Sequence, residues 1–204
     1  MFPLGTVLLP GTPLALHVFE PRYREMVRTC LDGDRSFGVV MIERGSEVGG
    51  GDVRSDVGTR AHLVEVAATP DGRYRLLAVG GERLRVLRWL DDDPHPWAEV
   101  EAWPDPPVAD ADAHRGALDE VTARLDRVRA LQVDLGEPPA PVPATTDGGL
   151  TPEAATHRLA ACLPVGPFDR QRLLASPDGA SRLALAVRLL DDLTAELEAR
   201  ADLA

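Results

Sequence analysis

The 204-residue sequence predicts an α+β protein, with a small β-barrel over residues 1–104 followed by a bundle of helices over residues 105–204. The first part alternates short apolar runs with turn residues, a pattern typical of strands. The second part repeats apolar residues every three or four positions, as amphipathic helices do. The run Pro104-Asp105-Pro106-Pro107 separates the two patterns, and we expect the domain boundary there.

The first part opens with an apolar strand over residues 14–19 and a helix that starts at Pro21. Proline suits the first helical position because its ring fixes φ and it has no N–H to leave unpaired. Apolar residues then recur at helical spacing and predict a buried stripe. The stripe consists of Tyr23, Met26, Val27, Cys30 and Leu31, and Asp32-Gly33-Asp34 ends the helix.

Further strands complete the predicted barrel. They cover residues 37–42, 57–68 and 74–79, an alternating run at Leu84 and Val86, and a last strand through Ala98, Val100 and Ala102. Pro70-Asp71-Gly72 predicts a hairpin turn, since Pro presets φ and Gly supplies a positive φ. The alternation slips at Leu87, which predicts a β-bulge. Residues 43–56 are polar and Gly-rich, and we expect a loop there.

The second part predicts four helices. The first is long and carries Leu118, Val121, Leu125, Val128, Leu131 and Leu135 on one face. Residues 136–149 are expected to form a flexible connection, and Thr151 is suited to cap the next helix. A short helix over residues 167–174 follows. Ser176-Pro177-Asp178 opens the last one, whose stripe is Leu183, Val187, Leu190, Leu193 and Leu197.

Charge argues against nucleic acid and anionic membranes as partners. The net charge is −11, with 12 Arg against 16 acidic residues up to Pro104 and 10 against 17 beyond it. Neither part is basic, whereas nucleic-acid surfaces need clustered positive charge. No apolar run is long enough to span a membrane. The opening residues lack the pattern of a signal peptide, so we expect a cytoplasmic protein.

The residue types present exclude several kinds of chemistry. All 22 basic residues are arginines, so a Schiff-base lysine, a P-loop lysine and a Ser–Lys dyad cannot form. The five histidines, at positions 17, 62, 95, 114 and 157, show no metal-binding spacing. Gly49-Gly50-Gly51-Asp52 is followed by no helix start and predicts a mobile loop rather than a phosphate site. We expect no catalytic residue, metal or cofactor, and two buried free thiols at Cys30 and Cys162.

Several motifs together resemble the amino-terminal domain family of Lon proteases. The opening run Phe2-Pro3-Leu4-Gly5-Thr6-Val7-Leu8-Leu9-Pro10-Gly11 is followed by Leu14 to Leu16, His17 and Phe19-Glu20-Pro21-Arg22-Tyr23. Later matches are Phe37-Gly38-Val39-Val40, Val57-Gly58-Thr59, Asp71-Gly72-Arg73-Tyr74, Arg83-Leu84-Arg85-Val86, Leu163-Pro164 and Leu173-Leu174. The resemblance covers nearly the whole chain, and its opening run is the specific part.

The resemblance implies a PUA-like β pseudo-barrel followed by a C-terminal helical bundle. In the full proteases this region helps to recognise unfolded or tagged substrates and supports hexamer assembly, while the ATPase and peptidase lie further along the chain. This sequence contains no GxxxxGK[ST] motif and no lysine for a peptidase dyad. The resemblance therefore implies a stand-alone recognition module that is not an enzyme.

The segment Phe19-Glu20-Pro21-Arg22-Tyr23, with His17 before it, is the strongest candidate for a peptide-binding site. In one interpretation it is structural: Phe19 and Tyr23 are core or hydrophobic-staple residues around the helix start. Glu20 then favours the helix dipole, and Arg22 pairs with a nearby acid. In the other, Arg22 and Glu20 border a peptide groove. The sequence leaves both interpretations open.

A second candidate is the set of three tryptophans, Trp89, Trp97 and Trp103. Aromatic residues are enriched at binding surfaces, but they also plug barrel ends and pack against helices. The predicted function is a non-catalytic protein- or peptide-binding module, an adaptor for unfolded or partner polypeptides. It would bind in a shallow groove and pair with a strand edge. An RNA-binding PUA-like protein is the alternative, which the acidic charge disfavours. The sequence indicates no oligomeric state.

Overall fold

A computed structural model describes residues 1–45, 51–142 and 150–203 of the chain. It divides into two compact units, Met1–Pro104 and Asp105–Ala204. The first unit is a curled six-stranded sheet with one helix. Its elements are β1 Phe2–Leu4, β2 Pro13–Val18, α1 Pro21–Asp32, β3 Ser36–Arg44, β4 Val53–Ala68, β5 Tyr74–Trp89 and β6 Ala98–Ala102.

The sheet has the strand order β1-β3-β4-β5-β2, and β6 pairs with the far end of β5. The β1–β3 pairing is parallel, and the other pairings are antiparallel. β4 and β5 join at the predicted turn, where Gly72 has a φ of +76° and donates to the Thr69 carbonyl. Gly58 is required for close approach of β3 and β4, because a Cβ there would lie 2.2 Å from the Val39 carbonyl oxygen.

The strand predictions hold in part. The register shifts between Val86 and Arg88, which confirms the bulge predicted at Leu87. The strand predicted over residues 74–79 and the alternating run predicted at Leu84 and Val86 form one long strand, β5. The predicted loop over 43–56 was too long, since β3 continues to Arg44 and β4 starts at Val53. Residues 46–50, which include part of the Gly-rich run, lie outside the described residues.

Charged side chains in this polar stretch are paired where β4 starts. The Arg54 side chain lies 2.6 Å from the Asp52 carboxylate and 2.7 Å from that of Asp92. Its guanidinium also stacks over the Trp89 ring at 4.6 Å from the centroid. These contacts pair the charges of the stretch in which the sequence predicted a loop.

The core of the first unit lies between α1 and the curled sheet. Four of the five residues in the predicted stripe of α1 are buried, and Leu31 packs partly buried against them. The sheet residues that contribute to this core are Phe2, Leu4, Leu8, Val18, Phe37, Val39, Ala61, Leu63, Leu76 and Ala78. The helix therefore fills the concave side of the sheet.

The second unit contains α2 Ala111–Asp134, α3 Pro152–Cys162, α4 Pro167–Leu174 and α5 Gly179–Ala201. Thr151 accepts a hydrogen bond from the Ala154 amide, which confirms the predicted cap. Asp110 and Asp178 cap α2 and α5 in the same way. The ion pairs Arg124–Asp191 and Arg127–Glu198 advance along α2 and α5 together, so these helices run in the same direction.

A buried ion cluster ties the start of the second unit to two of its helices. Arg182 is 0% exposed and donates to both carboxylate oxygens of Asp105, at 3.1 and 2.9 Å. It also donates to the Leu173 carbonyl and the Thr156 hydroxyl. His157 Nε2 lies 2.7 Å from the same Asp105 carboxylate. Asp105 thus fixes the segment before α2 against α3 and α5.

We expect Asp105→Ala to lower the free energy of unfolding of this unit by about 3–5 kcal/mol, because it leaves a buried guanidinium without its counter-charge. Urea denaturation followed by far-ultraviolet circular dichroism measures this. The control is Asp191→Ala, which removes a 57% exposed carboxylate from an ion pair and is expected to change the free energy by less than about 1 kcal/mol. Equal effects of the two variants would show that burial does not strengthen the Asp105 cluster.

Candidate functional site

The two end strands of the curled sheet, β1 and β2, border a pocket of about 210 Å³. We call it the edge pocket. Its walls come from β1, β2 and the residues that start α1. They are Phe2, Leu4, Ala15, Leu16, His17, Val18, Phe19, Glu20 and Tyr23. Most of these side chains are apolar, so the pocket suits an apolar group.

The open edge of β2 carries backbone groups that β5 does not use. The Gly80 amide donates to the Thr12 carbonyl just before β2. Bonded and non-bonded pairs alternate along an antiparallel ladder, so Leu14 and Leu16 bond to β5. Ala15 and His17 direct their N–H and C=O groups to the other side. Pro13 fits this phase, because its missing N–H would also have faced away from β5.

Tyr23 forms the apolar floor of the edge pocket. It is 3% exposed, and its ring stacks on Phe2 with centroids 4.2 Å apart. Burial raises the pKa of Tyr23 to about 12, although the neighbouring Arg22 acts in the opposite direction. The Arg22 guanidinium lies over the Tyr23 ring, 4.5 Å from the centroid. Tyr23 is therefore an uncharged packing residue at neutral pH.

Glu20 and Arg22 form an ion pair at the rim of the edge pocket. Arg22 Nε lies 3.1 Å from Glu20 Oε2, and both side chains are about one-fifth exposed. The expected pairing of Arg22 with an acid is thus observed. Glu20 occupies the N-cap position of α1 without a side-chain capping bond. Its carbonyl accepts the Arg24 amide instead.

Phe19 contradicts the expectation that it packs in the core, because it is 51% exposed. The strand period explains this. Leu14, Leu16 and Val18 face inward in β2, and Phe19, directly after its last residue, continues the outward phase of the odd-numbered positions. The Phe19 ring lies 6.2 Å from that of His17, which is also exposed. The candidate segment thus splits between a buried Tyr23 and an exposed His17–Phe19 pair.

The three tryptophans occupy separate environments. Trp89 stacks under Arg54, and Trp97 stacks on His95 with centroids 4.6 Å apart. Trp103 lies against the guanidinium groups of Arg83 and Arg85, at 4.1 and 4.4 Å. Trp97 and Trp103 flank opposite ends of β6.

None of the described residues that line the edge pocket is a tryptophan. The first candidate group is therefore brought together in one place, apart from Arg22, which lies beside the pocket. The tryptophans do not join it. Five pocket residues were missed by sequence reasoning, namely Phe2, Leu4, Ala15, Leu16 and Val18. Phe2 and Leu4 are far from the motif in sequence and reach the pocket through the strand order of the sheet. Pro13 was a usable signal, since proline in a strand indicates an edge.

The described residues contain no group of three or more His, Cys, Asp or Glu side chains placed to hold a metal ion. Within the same ranges, no helix has the length and apolar character required to cross a bilayer. Cys30 and Cys162 are buried free thiols, as predicted. What the edge pocket offers a ligand is its apolar lining and the outward backbone groups of β2.

A curled sheet with α1 packed on its concave side, followed by a bundle of helices, defines an α+β domain of the Lon amino-terminal kind. The chain belongs to the family of the ATP-dependent protease La (LON) substrate-binding domain, whose model matches residues 1–192. The family and the fold class predicted from the sequence are thereby confirmed.

Solved structures agree with this assignment. A Lon N-terminal domain protein from Xanthomonas campestris matches with a TM-score of 0.63 and 29% identity, over 90% of this chain and 92% of that one. The N-terminal domain of Mycobacterium avium complex Lon protease has the same fold, with a TM-score of 0.62 and 17% identity over 93% and 97% of the two chains.

Curated relatives include full Lon proteases. Lon protease 1 of Thermus thermophilus is 26% identical over 194 residues, which are 91% of this chain and 23% of that protein. The Cytophaga hutchinsonii Lon protease is 24% identical over 189 residues, with the same coverage. The chain spans between 16% and 24% of the length of the first relatives that it matches.

We expect Tyr23 to ionise near pH 12 in the folded protein, against about 10 in the unfolded chain. Between these values the folded state holds one more proton, so the contribution of Tyr23 to stability is complete below pH 10 and falls as the pH rises. Ultraviolet absorbance of tyrosinate measures the titration. Tyr23→Phe should remove the high-pH step and Tyr74→Phe should leave it in place. A high-pH step that survives Tyr23→Phe would contradict the assignment.

Proposed function

We propose that this chain is a non-catalytic module that binds extended apolar segments of unfolded or partner polypeptides at the edge pocket. The observation that carries the proposal is the open edge of β2 beside an apolar pocket. Membership of a substrate-binding family supports it. The absence of lysine from the sequence supports the non-catalytic role, because P-loop and Ser–Lys chemistry both require that residue.

Main-chain pairing supplies the first part of the binding. An extended peptide placed along β2 meets the outward N–H and C=O groups of Ala15 and His17. Peptides recognised in this way add a strand to a sheet edge, and their backbone bonds are independent of sequence. This independence suits a module that must accept many unfolded chains.

The pocket supplies the second part. A volume of about 210 Å³ lies below the range typical of sites for drug-sized ligands, and it suits a single large apolar side chain. Burying such a side chain contributes about 1.5–3 kcal/mol. Each backbone hydrogen bond adds about 0.5–1.5 kcal/mol, and ordering the peptide opposes binding. One site therefore gives weak and reversible capture.

Phe19 extends the apolar surface beyond the pocket. Its exposed ring beside His17 places an aromatic face at the rim, where a bound peptide would cover it. The Glu20–Arg22 pair balances its own charge, so the rim does not select for a charged peptide. The proposed preference is therefore for apolar and aromatic residues in extended chains.

We expect Ala15→Pro to weaken the binding of a permanently unfolded model protein about tenfold while the fold is retained. The proline removes an N–H on the open edge and spares the bonds to β5, as Pro13 already does. Fluorescence anisotropy of the labelled unfolded protein measures affinity, and the folded form of the same protein is the reference ligand.

The matched control for this variant is Ala102→Pro on β6. Trp103 donates to the Arg83 carbonyl, so the alternation of the ladder directs the Ala102 N–H away from β5. This variant should leave affinity unchanged. Equal affinities of Ala15→Pro and wild type would overturn strand addition at β2, and equal, negligible capture of unfolded and folded proteins would overturn the proposed function.

We expect Phe19→Ala to weaken capture of the same unfolded protein several-fold with little change in melting temperature, because a half-exposed ring contributes little to the core. Phe168→Ala is the control, since Phe168 is 60% exposed on α4 of the second unit. Anisotropy and thermal denaturation are compared for both. A larger loss of affinity from Phe168→Ala would place the binding surface elsewhere.

A further inference from the structure

A second cavity of the first unit, of about 300 Å³, has donor atoms that the edge pocket does not use. We call it the sulphur cavity. Three of the side chains that line it contain sulphur, and one carries an imidazole. They are Met1, Met26, Cys30 and His95. The set combines two thioethers, a thiol and an imidazole around one space.

Two of the sulphur atoms come from α1. Met26 and Cys30 are four positions apart, so they share a helix face, and both are buried. The Met1 thioether packs against Gly38 of β3. The contact is so close that a Cβ at position 38 would lie 2.4 Å from Met1 Sδ. A larger residue at position 38 would displace this thioether. Helix α1 and the residue before β1, which lies against β3, thus contribute sulphur atoms to the same cavity.

His95 provides a nitrogen lone pair. The side chain is 2% exposed, and Nδ1 lies 3.3 Å from the Pro96 carbonyl. A carbonyl only accepts, so Nδ1 carries the proton and Nε2 keeps its lone pair. Among the described residues, no hydrogen bond to Nε2 is found. Trp97 stacks on the ring and holds its orientation.

We propose that the sulphur cavity binds a soft monovalent cation, Cu(I), through Cys30 Sγ, His95 Nε2 and the thioethers of Met26 and Met1. Thiolate and thioether ligands select Cu(I) over harder ions. Zinc would need more nitrogen, thiolate or carboxylate donors, and the described residues offer no group of three or more such side chains.

Binding involves no change of oxidation state. The Cys30 thiol, which donates to the Ser36 carbonyl at 3.2 Å, loses its proton to solvent and forms a sulphur–copper bond. The thiolate then neutralises the single positive charge of the ion. This balance matters because Cys30 and His95 are themselves buried, and an unpaired charge beside buried groups is costly.

The three methionines of the chain provide a direct test. The full-length protein is labelled with methyl-¹³C methionine and titrated with Ag(I), a redox-inert substitute, and with Cu(I) under anaerobic reducing conditions. We expect the Met1 and Met26 methyl signals to shift and to saturate at one equivalent, while Met41, which is buried but does not line the cavity, stays in place. Shifts in all three signals, or in none, would overturn the proposal.

Matched cysteine variants test the thiolate. Cys30→Ser should weaken Cu(I) affinity about tenfold or more, as measured by competition with a chromogenic Cu(I) chelator. Cys162→Ser removes the other buried thiol and should leave the affinity unchanged. If Cys30→Ser alters the circular dichroism spectrum, Met26→Leu is compared with Met41→Leu, since Leu conserves volume. The site would be rejected if Cys30→Ser and Cys162→Ser bound Cu(I) equally well. Where the methionine variants are used instead, equal Cu(I) affinities of Met26→Leu and Met41→Leu would reject it.

Discussion

The incomplete closure of the sheet determines most features of the first unit. β1 is held by a three-residue parallel pairing with β3, and among the described residues β2 pairs with β5 alone. The two end strands border the same pocket, but the ladder passes from one to the other only through the rest of the sheet. A curled sheet that does not close needs another element to cover its apolar concave side, and α1 fills this role.

The open edges are protected unequally. Pro3 lies within β1, which is short, and β6 carries Glu99 and Glu101 beside β5 arginines. Short strands, prolines and charges are the usual means by which proteins prevent edges from pairing with other chains. β2 has Pro13 at its first position only. Ala15 and His17 keep their outward backbone groups, and this edge is the one beside the apolar pocket.

The sequence predicted what depends on local patterns. The stripe of α1, the Gly72 turn, the bulge at Leu87 and the Thr151 cap each follow from spacing or from one residue's backbone preference. It failed where long-range contacts decide. At the start of β4, Arg54 pairs with Asp92, which lies 38 residues further along the chain between β5 and β6. The edge pocket depends on β1 and β2 being the two ends of the ladder, which no local window contains.

Helix α1 forms a wall of the edge pocket and of the sulphur cavity. Tyr23 faces the edge pocket, and Met26 and Cys30, one and two turns further along α1, line the sulphur cavity. A substitution that shifts α1 would therefore disturb both sites at once. Backbone changes at the β2 edge and volume-conserving changes at Met26 are expected to avoid this, because neither replaces a ring of the Tyr23–Phe2 stack. The two proposals can consequently fail independently, since peptide capture depends on the edge of β2 and cation binding on the sulphur atoms.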